Sequence, residues 1–228
     1  SISPREHASL VGVPYFPPSY AGLPFVDEFK KLQYEKLPKP PAFFILGGAK
    51  FATKQPLVEK FLTIYDHVFV TGALANDFFV AQGHSIGRSL VSDHPVNVKH
   101  LLTHPKILLP IDVVVLTIEG EKVVKKPDEL EPGDMINDAG PETMKMLEPI
   151  IAQAKFLLWN GPLGDYQLGF VDGTKQLVEL ISRTKPDSVV GGGDTMSLIT
   201  KFGYDKQFSF CSTAGGAMLE FLLKGTVP

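Results

Sequence analysis

The sequence predicts an α/β fold of three layers, with helices on both faces of a mainly parallel six-stranded sheet. Three observations predict it. Short apolar runs alternate with stretches of helical periodicity from residue 42 to near the C-terminus. The main runs are apolar throughout, as parallel strands covered on both faces must be. Glycine-rich turns follow four of the runs, each where a strand gives way to a helix.

Residues 1–41 stand apart. Pro4, Pro14, Pro17, Pro18, Pro24, Pro38, Pro40 and Pro41 keep most of this segment from regular structure. Phe25, Val26, Phe29 and Leu32 fall at helical spacing with charges between them, which predicts one amphipathic helix over 23–37, ended by the proline cluster. Before it, Arg5-Glu6-His7-Ala8-Ser9 looks like a beginning that belongs elsewhere. Strands are then expected at 42–46, 67–70, 113–117, 156–159, 188–190 and 208–211. Helices are expected at 54–64, 74–82, 95–102, 141–153, 173–183, 195–201 and 216–223. The stretch 116–134 breaks the rhythm. Its lysines (Lys122, Lys125, Lys126) and its Pro132-Gly133 turn predict a small hairpin with a solvated edge.

Bulk composition narrows the function. The 228 residues are 44% apolar, enough for a real core, and carry a net charge of −3. That balance gives no reason to expect nucleic acid or an anionic membrane as partner. No apolar run approaches the ~18 residues of a membrane span, and no secretory signal is visible, so a cytoplasmic protein is expected. The chain does not begin with Met, which suggests a fragment or processed product. The single cysteine, Cys211, excludes an internal disulfide and reads as a buried hydrophobic thiol. The six histidines show no metal-ligand spacing and sit in no glycine turn.

In an open parallel sheet, ligands sit beyond the carboxyl ends of the strands. Four turns there carry the chemistry. The first is Gly47-Gly48-Ala49-Lys50, which opens a helix bearing Lys54. Glycine lets a ligand approach the backbone, and the helix N-terminus favours an anion. Lys50 and Lys54, at i and i+4, share a helix face if the helix starts by Lys50. They form either a polyphosphate cradle or two solvated lysines. The spacing is neither that of a Walker loop nor of a dinucleotide turn. The other three turns are Asn160-Gly161-Pro162-Leu163-Gly164, Gly191-Gly192-Gly193-Asp194-Thr195 and Ser212-Thr213-Ala214-Gly215-Gly216. Asp194 either caps its helix or holds Mg²⁺, a hard ion that keeps phosphates and waters as its other ligands. Thr195 either caps the same helix or reaches a phosphate oxygen.

Taken together, these stretches resemble the C-terminal, nucleotide-binding half of the phosphoglycerate kinase family. The resemblance runs through Gly47 to Lys54, Leu109-Pro110-Ile111-Asp112, Gly140-Pro141-Glu142, Trp159-Asn160-Gly161-Pro162, Gly173-Thr174-Lys175, Gly191 to Thr195 and Ser212 to Ala217. It implies a Rossmann-like domain over 41–228, and over 1–40 the end of an N-terminal domain with its interdomain helix. It also implies reversible phosphoryl transfer in glycolysis between 1,3-bisphosphoglycerate and ADP, giving 3-phosphoglycerate and ATP, with Mg²⁺ as cofactor and a monomeric protein.

The resemblance assigns roles residue by residue. Lys50 would hold nucleotide phosphates and Lys54 the transferring phosphoryl group. Asp194 would hold Mg²⁺, and Gly192, Gly193 and Thr195 would contact phosphate. Gly215 and Gly216 would offer N–H groups to the transferred group. Gly161, Leu163, Tyr166 and Gln167 would line the nucleoside side. Gly48, Ala49, Gly72, Ala73, Asn137 and Asn160 complete the implied nucleotide site. Lys54, Gly192, Gly215 and Gly216 are the implied catalytic set, and Arg5 the one implied contact to the phosphoglycerate.

Some positions depart from the family pattern. Gln167 stands where glutamate usually meets the ribose hydroxyls, and Thr53 where an aspartate is expected between the lysines. Thr71-Gly72-Ala73-Leu74 replaces a more glycine-rich turn, and Ala214 a glycine. Ile136 replaces a glycine beside the base, where a side chain narrows the pocket. Most of the family's N-terminal domain, with its basic acceptor face, has no counterpart here, so the isolated chain is expected to bind nucleotide with little or no turnover. The rival expectation is a divergent, non-catalytic module of the same fold. A dehydrogenase domain ranks below both, because the dinucleotide turn is missing.

Overall fold

The computed structural model describes residues 23–34, 38–49, 51–92 and 97–225. Arg5, Lys50, the segment 35–37 of the helix expected at 23–37 and residues 95 and 96 of the helix expected at 95–102 lie outside the described residues.

The main sheet is built on β1 (Ala42–Leu46), whose five residues are all buried. β2 (His67–Val70) and β3 (Ile107–Leu108) lie on one side of it. β7 (Phe156–Asn160), β8 (Asp187–Gly191) and β9 (Phe210–Ser212) lie on the other. The order is β3-β2-β1-β7-β8-β9, and every pair is parallel. From β1 the chain winds outward through β2, and from β7 it winds the other way through β8. The switch point therefore lies between β1 and β7, and a crevice is expected at their carboxyl ends.

Side chains alternate across this sheet and divide the core in two. Phe44, Leu46, Val68, Val70, Leu158 and Val189 face one way. They pack under α2 (Phe51–Leu62), α3 (Ala73–Gln82) and α8 (Gly216–Lys224), with Leu32 of α1 (Leu23–Tyr34). Phe43, Ile45, Phe69, Leu157, Trp159 and Val190 face α5 (Pro141–Gln153), α6 (Asp172–Thr184) and α7 (Gly193–Phe202). The predicted three layers follow from this alternation within apolar runs. α4 is a single turn, Lys99–Leu102.

Two strand assignments change. The sixth strand of the main sheet is Ile107–Leu108, too short to register as a periodic run. The stretch expected at 113–117 is β4 (Val113–Leu116), which leaves that sheet and pairs antiparallel with β5 (Lys122–Lys125) and β6 (Met135–Ala139). Pro110 separates β3 from β4, and Asp112 anchors the turn between them on α5. Its carboxylate accepts N–H from Glu142 (2.9 Å) and Thr143 (2.7 Å), satisfying two donors of that helix start. A Cβ on Gly140 would fall 2.3 Å from this carboxylate, which explains the glycine.

The small sheet is the hairpin excursion expected at 116–134, extended by β6. Its edge is only partly solvated. Lys125 reaches inward to the buried Asp134 at 2.8 Å, and Lys122 lies 4.0 Å from the centre of the Phe170 ring. Cys211 is half-buried rather than buried, and its thiol donates to the Asp205 carbonyl at 3.4 Å.

Candidate functional site

The glycine turns converge at the switch point. The Gly47 N–H donates to the Asn160 carbonyl at 2.8 Å, joining the ends of β1 and β7. A Cβ on Gly47 would fall 2.2 Å from the Pro162 carbonyl oxygen, so the two turns touch backbone to backbone. A Cβ on Gly72, after β2, would fall 3.0 Å from the Gly48 nitrogen, so this turn packs on the first. A Cβ on Gly192, after β8, would fall 3.3 Å from the Asn160 amide nitrogen. Four turns that the sequence separates by up to 145 residues thus form one surface.

Beside this surface lies a cavity of about 320 Å³. Of the expected residues, Gly48, Ala49, Gly72, Ala73, Asn137, Leu163, Tyr166, Gln167 and Asp194 line it. Phe79, Leu90, Val113 and Ile136 give it an apolar wall. Thr71 and Asn137 each leave a buried side-chain oxygen without a hydrogen-bond partner among the described residues. Such oxygens are costly unless a ligand or water meets them. One end is thus apolar and the other is rimmed with backbone N–H groups, which suits a ligand with a flat apolar part and an anionic part.

Lys54 stands at the anionic end. Its Nζ donates to the Gly47 carbonyl at 2.7 Å. Burial pushes this ammonium down to about 8, because few polar groups replace its water. An incoming anion would relieve that cost. Asp194, exposed in the first turn of α7, accepts a hydrogen bond from the Tyr166 hydroxyl at 2.7 Å. Among the described residues no three His, Cys, Asp or Glu side chains form a metal cluster. A lone carboxylate suits Mg²⁺ shared with phosphates rather than a resident, protein-caged ion.

Other expected residues sit differently. Thr195 is buried, and its Oγ1 accepts from the Gly161 N–H at 3.0 Å, so it holds the β7 turn in place. The Asn160 Nδ2 is buried beside Gly192 without a partner among the described residues. Gly193, Gly215 and Gly216 face open space. The last two follow β9, at the sheet edge beside β8 and two strands from β7. Their turn is backed by α1. The Glu28 carboxylate accepts from the Ser212 hydroxyl (2.6 Å) and from the N–H groups of Thr213 (2.9 Å) and Ala214 (3.0 Å).

Sequence reasoning missed Thr71, Phe79, Leu90 and Asp138 in the cavity wall. Asp138 is a strut. Its carboxylate accepts from the N–H groups of Ala139 (2.9 Å) and Gly173 (2.9 Å), and burial raises it to about 6. Thr174 supports the same rim, accepting from the Leu163 N–H at 3.0 Å. The stretch Gly173-Thr174 therefore shapes the site without lining it.

Fold and crevice define an open, doubly wound α/β domain with a ligand cleft at its switch point. Sequence comparison then names the family. The phosphoglycerate kinase family profile matches residues 1–225. The phosphoglycerate kinase of Pseudothermotoga lettingae is 38% identical over 232 aligned residues, covering 96% of this chain and 58% of that protein. That of Baumannia cicadellinicola is 38% identical, covering 98% and 59%. Among solved structures, phosphoglycerate kinase from Coxiella burnetii superposes with a TM-score of 0.81 at 34% identity, over 90% of this chain and 56% of that one. The Pyrococcus horikoshii enzyme superposes with a TM-score of 0.79 at 28% identity, over 98% and 59%. The chain belongs to the phosphoglycerate kinase family, and it spans a little under three fifths of the length of these relatives.

Proposed function

We propose that the cleft binds ADP or ATP with Mg²⁺. In this reading the domain is the nucleotide half of a reversible phosphoryl transfer between 1,3-bisphosphoglycerate and ADP. One observation carries it: the half-buried Lys54 ammonium stands among converging glycine turns, next to a cavity with an apolar wall. The base would lie against Phe79, Leu90 and Ile136. The phosphates would lie along the Gly48, Gly72 and Gly192 turns, within reach of Lys54 and, on the resemblance, Lys50. Asp194 would hold Mg²⁺, which when bound neutralises phosphate charge and orients the transferring group.

Phosphoryl transfer passes through a loose transition state that needs alignment and charge neutralisation rather than covalent help. Backbone N–H groups fixed by turn-to-turn contact supply both without reorganising. Gly215 and Gly216, which follow the residues that Glu28 holds, would on the resemblance receive the transferred group. The acceptor contact assigned to Arg5, the division into 1–40 and 41–228, the monomeric state and the cytoplasmic location belong to the same proposal. Among the described residues no helix is long and apolar enough to cross a membrane.

Ile136 supports a second reading, a divergent module with weak nucleotide binding, because its side chain does form part of the cavity wall. A displacement assay separates the possibilities. A fluorescent ADP analogue bound by the chain is expected to be displaced by MgADP and not by NADH. Displacement by NADH and not by MgADP would refute the kinase reading, and no binding of the analogue or of MgADP would favour the divergent module.

A further inference from the structure

We infer that Tyr166 is a positioning residue for Asp194, setting the carboxylate that receives the divalent cation; this rests on the magnesium reading of Asp194 given above. The two residues come from different elements. Asp194 lies in the first turn of α7, after β8, and Tyr166 in the 3₁₀ turn Tyr166–Leu168, after β7. Both line the cleft. The Tyr166 hydroxyl donates to one Asp194 carboxylate oxygen, Oδ1, at 2.7 Å. The second oxygen, Oδ2, accepts no hydrogen bond among the described residues, which leaves it open for a cation.

An exposed aspartate near a glycine turn samples several rotamers, and only some present an oxygen to the crevice. Mg²⁺ demands near-octahedral geometry and tolerates little displacement. A hydrogen bond from a fixed donor selects the rotamer in advance, as outer partners of metal ligands do. Tyr166 is such a donor because its own turn is held. Asp165 caps it, accepting from the N–H groups of Gln167 (3.1 Å) and Leu168 (3.3 Å). The Asp165 N–H donates to the Asn137 carbonyl at 2.7 Å, and Gly169 closes the turn in the left-handed conformation. The tyrosine is therefore anchored to β6 and aimed across the cleft mouth. Its ring and its hydroxyl have separable uses, the ring as cleft wall and the hydroxyl as the carboxylate's partner.

Tyr166→Phe separates them by deleting only the hydroxyl. ADP affinity of the 228-residue chain is measured by calorimetry in excess EDTA and in excess Mg²⁺, for the unmodified chain and the variant. Without Mg²⁺ each protein gives its own ADP baseline, against which its Mg²⁺-dependent gain is read. With Mg²⁺ the unmodified chain is expected to gain affinity, and the variant to lose about 10-fold of that gain, the lower end of what partners of metal ligands contribute. An equal Mg²⁺-dependent gain in both would overturn the role of Tyr166 and leave the magnesium reading standing. No gain in the unmodified chain would overturn the magnesium reading and the inference with it. Equal losses with and without Mg²⁺ in the variant would mark Tyr166 as a ligand contact alone, and would also overturn the inference.

Discussion

Gly47 and Gly161 meet backbone to backbone at the switch point of the sheet: a Cβ on Gly161 would fall 2.3 Å from the Gly47 carbonyl oxygen. Gly161 also has a φ of 94°, a conformation that L side chains rarely adopt. Two constraints thus fall on one residue. Gly161→Ala is expected to cost about 2–4 kcal/mol of stability, from strain and a clash that flexible side chains cannot absorb. Urea unfolding would measure it, and a cost below the ordinary surface range would mean the turns can separate freely.

Glu28 gathers the turn after β9. Glu28→Ala would leave the Thr213 N–H without its carboxylate and weaken that of Ala214, which keeps a longer bond to Ser212 Oγ (3.3 Å). The expected loss is about 2–3 kcal/mol, typical of hydrogen bonds to charged groups. Amide exchange at Thr213 and Ala214 should accelerate more than at β1. Unchanged exchange there would show that α1 does not hold this turn.

Lys54 predicts a pH dependence whose sign is fixed. Burial lowers the folded value to about 8 from the unfolded 10.5, so the unfolded chain binds more protons between them. The cost of the buried ammonium is full below pH 8 and fades as pH rises towards 10.5. Lys54→Met should therefore show its most favourable stability relative to the unmodified chain at pH 7, with that relative stability falling by pH 10. Bound phosphates favour the charged form, so ADP binding near pH 8.5 should take up protons. Calorimetry in two buffers of different ionisation enthalpy checks this, and a buffer-independent heat would contradict it.

Much of the layered fold was legible because apolar runs such as Phe43 to Leu46 are buried on both faces and look so in sequence. Ile107–Leu108 was not legible, since two residues make no period. Nor was β6, because Asn137 and Asp138 place buried polar groups where a strand pattern expects apolar ones. The polarity serves the site, with Asp138 bracing Gly173. The glycine turns were legible one by one and their convergence followed from parallel pairing. The Tyr166–Asp194 contact spans 28 residues between a 3₁₀ turn and the start of α7 and leaves no mark on either.

The departures at Ile136 and Gln167 give a quantitative prediction. Gln167 is exposed at the cleft rim, so Gln167→Glu adds a charge-assisted acceptor with little desolvation. Ile136→Gly removes a wall but also loosens β6. Together they are expected to change ADP affinity by less than about 10-fold, within ~1.4 kcal/mol. A gain far beyond that would mean that this chain has drifted from nucleotide binding.

The most direct measurement is a calorimetric titration of the folded chain with MgADP, with Lys54→Ala beside it. Binding in the micromolar range is expected, weakened roughly 10- to 100-fold by the substitution, the effect of losing a charge-assisted contact. No binding by a chain shown to be folded, or binding unaffected by Lys54→Ala, would contradict the assignment of the converging glycine turns and Lys54 as a nucleotide phosphate site.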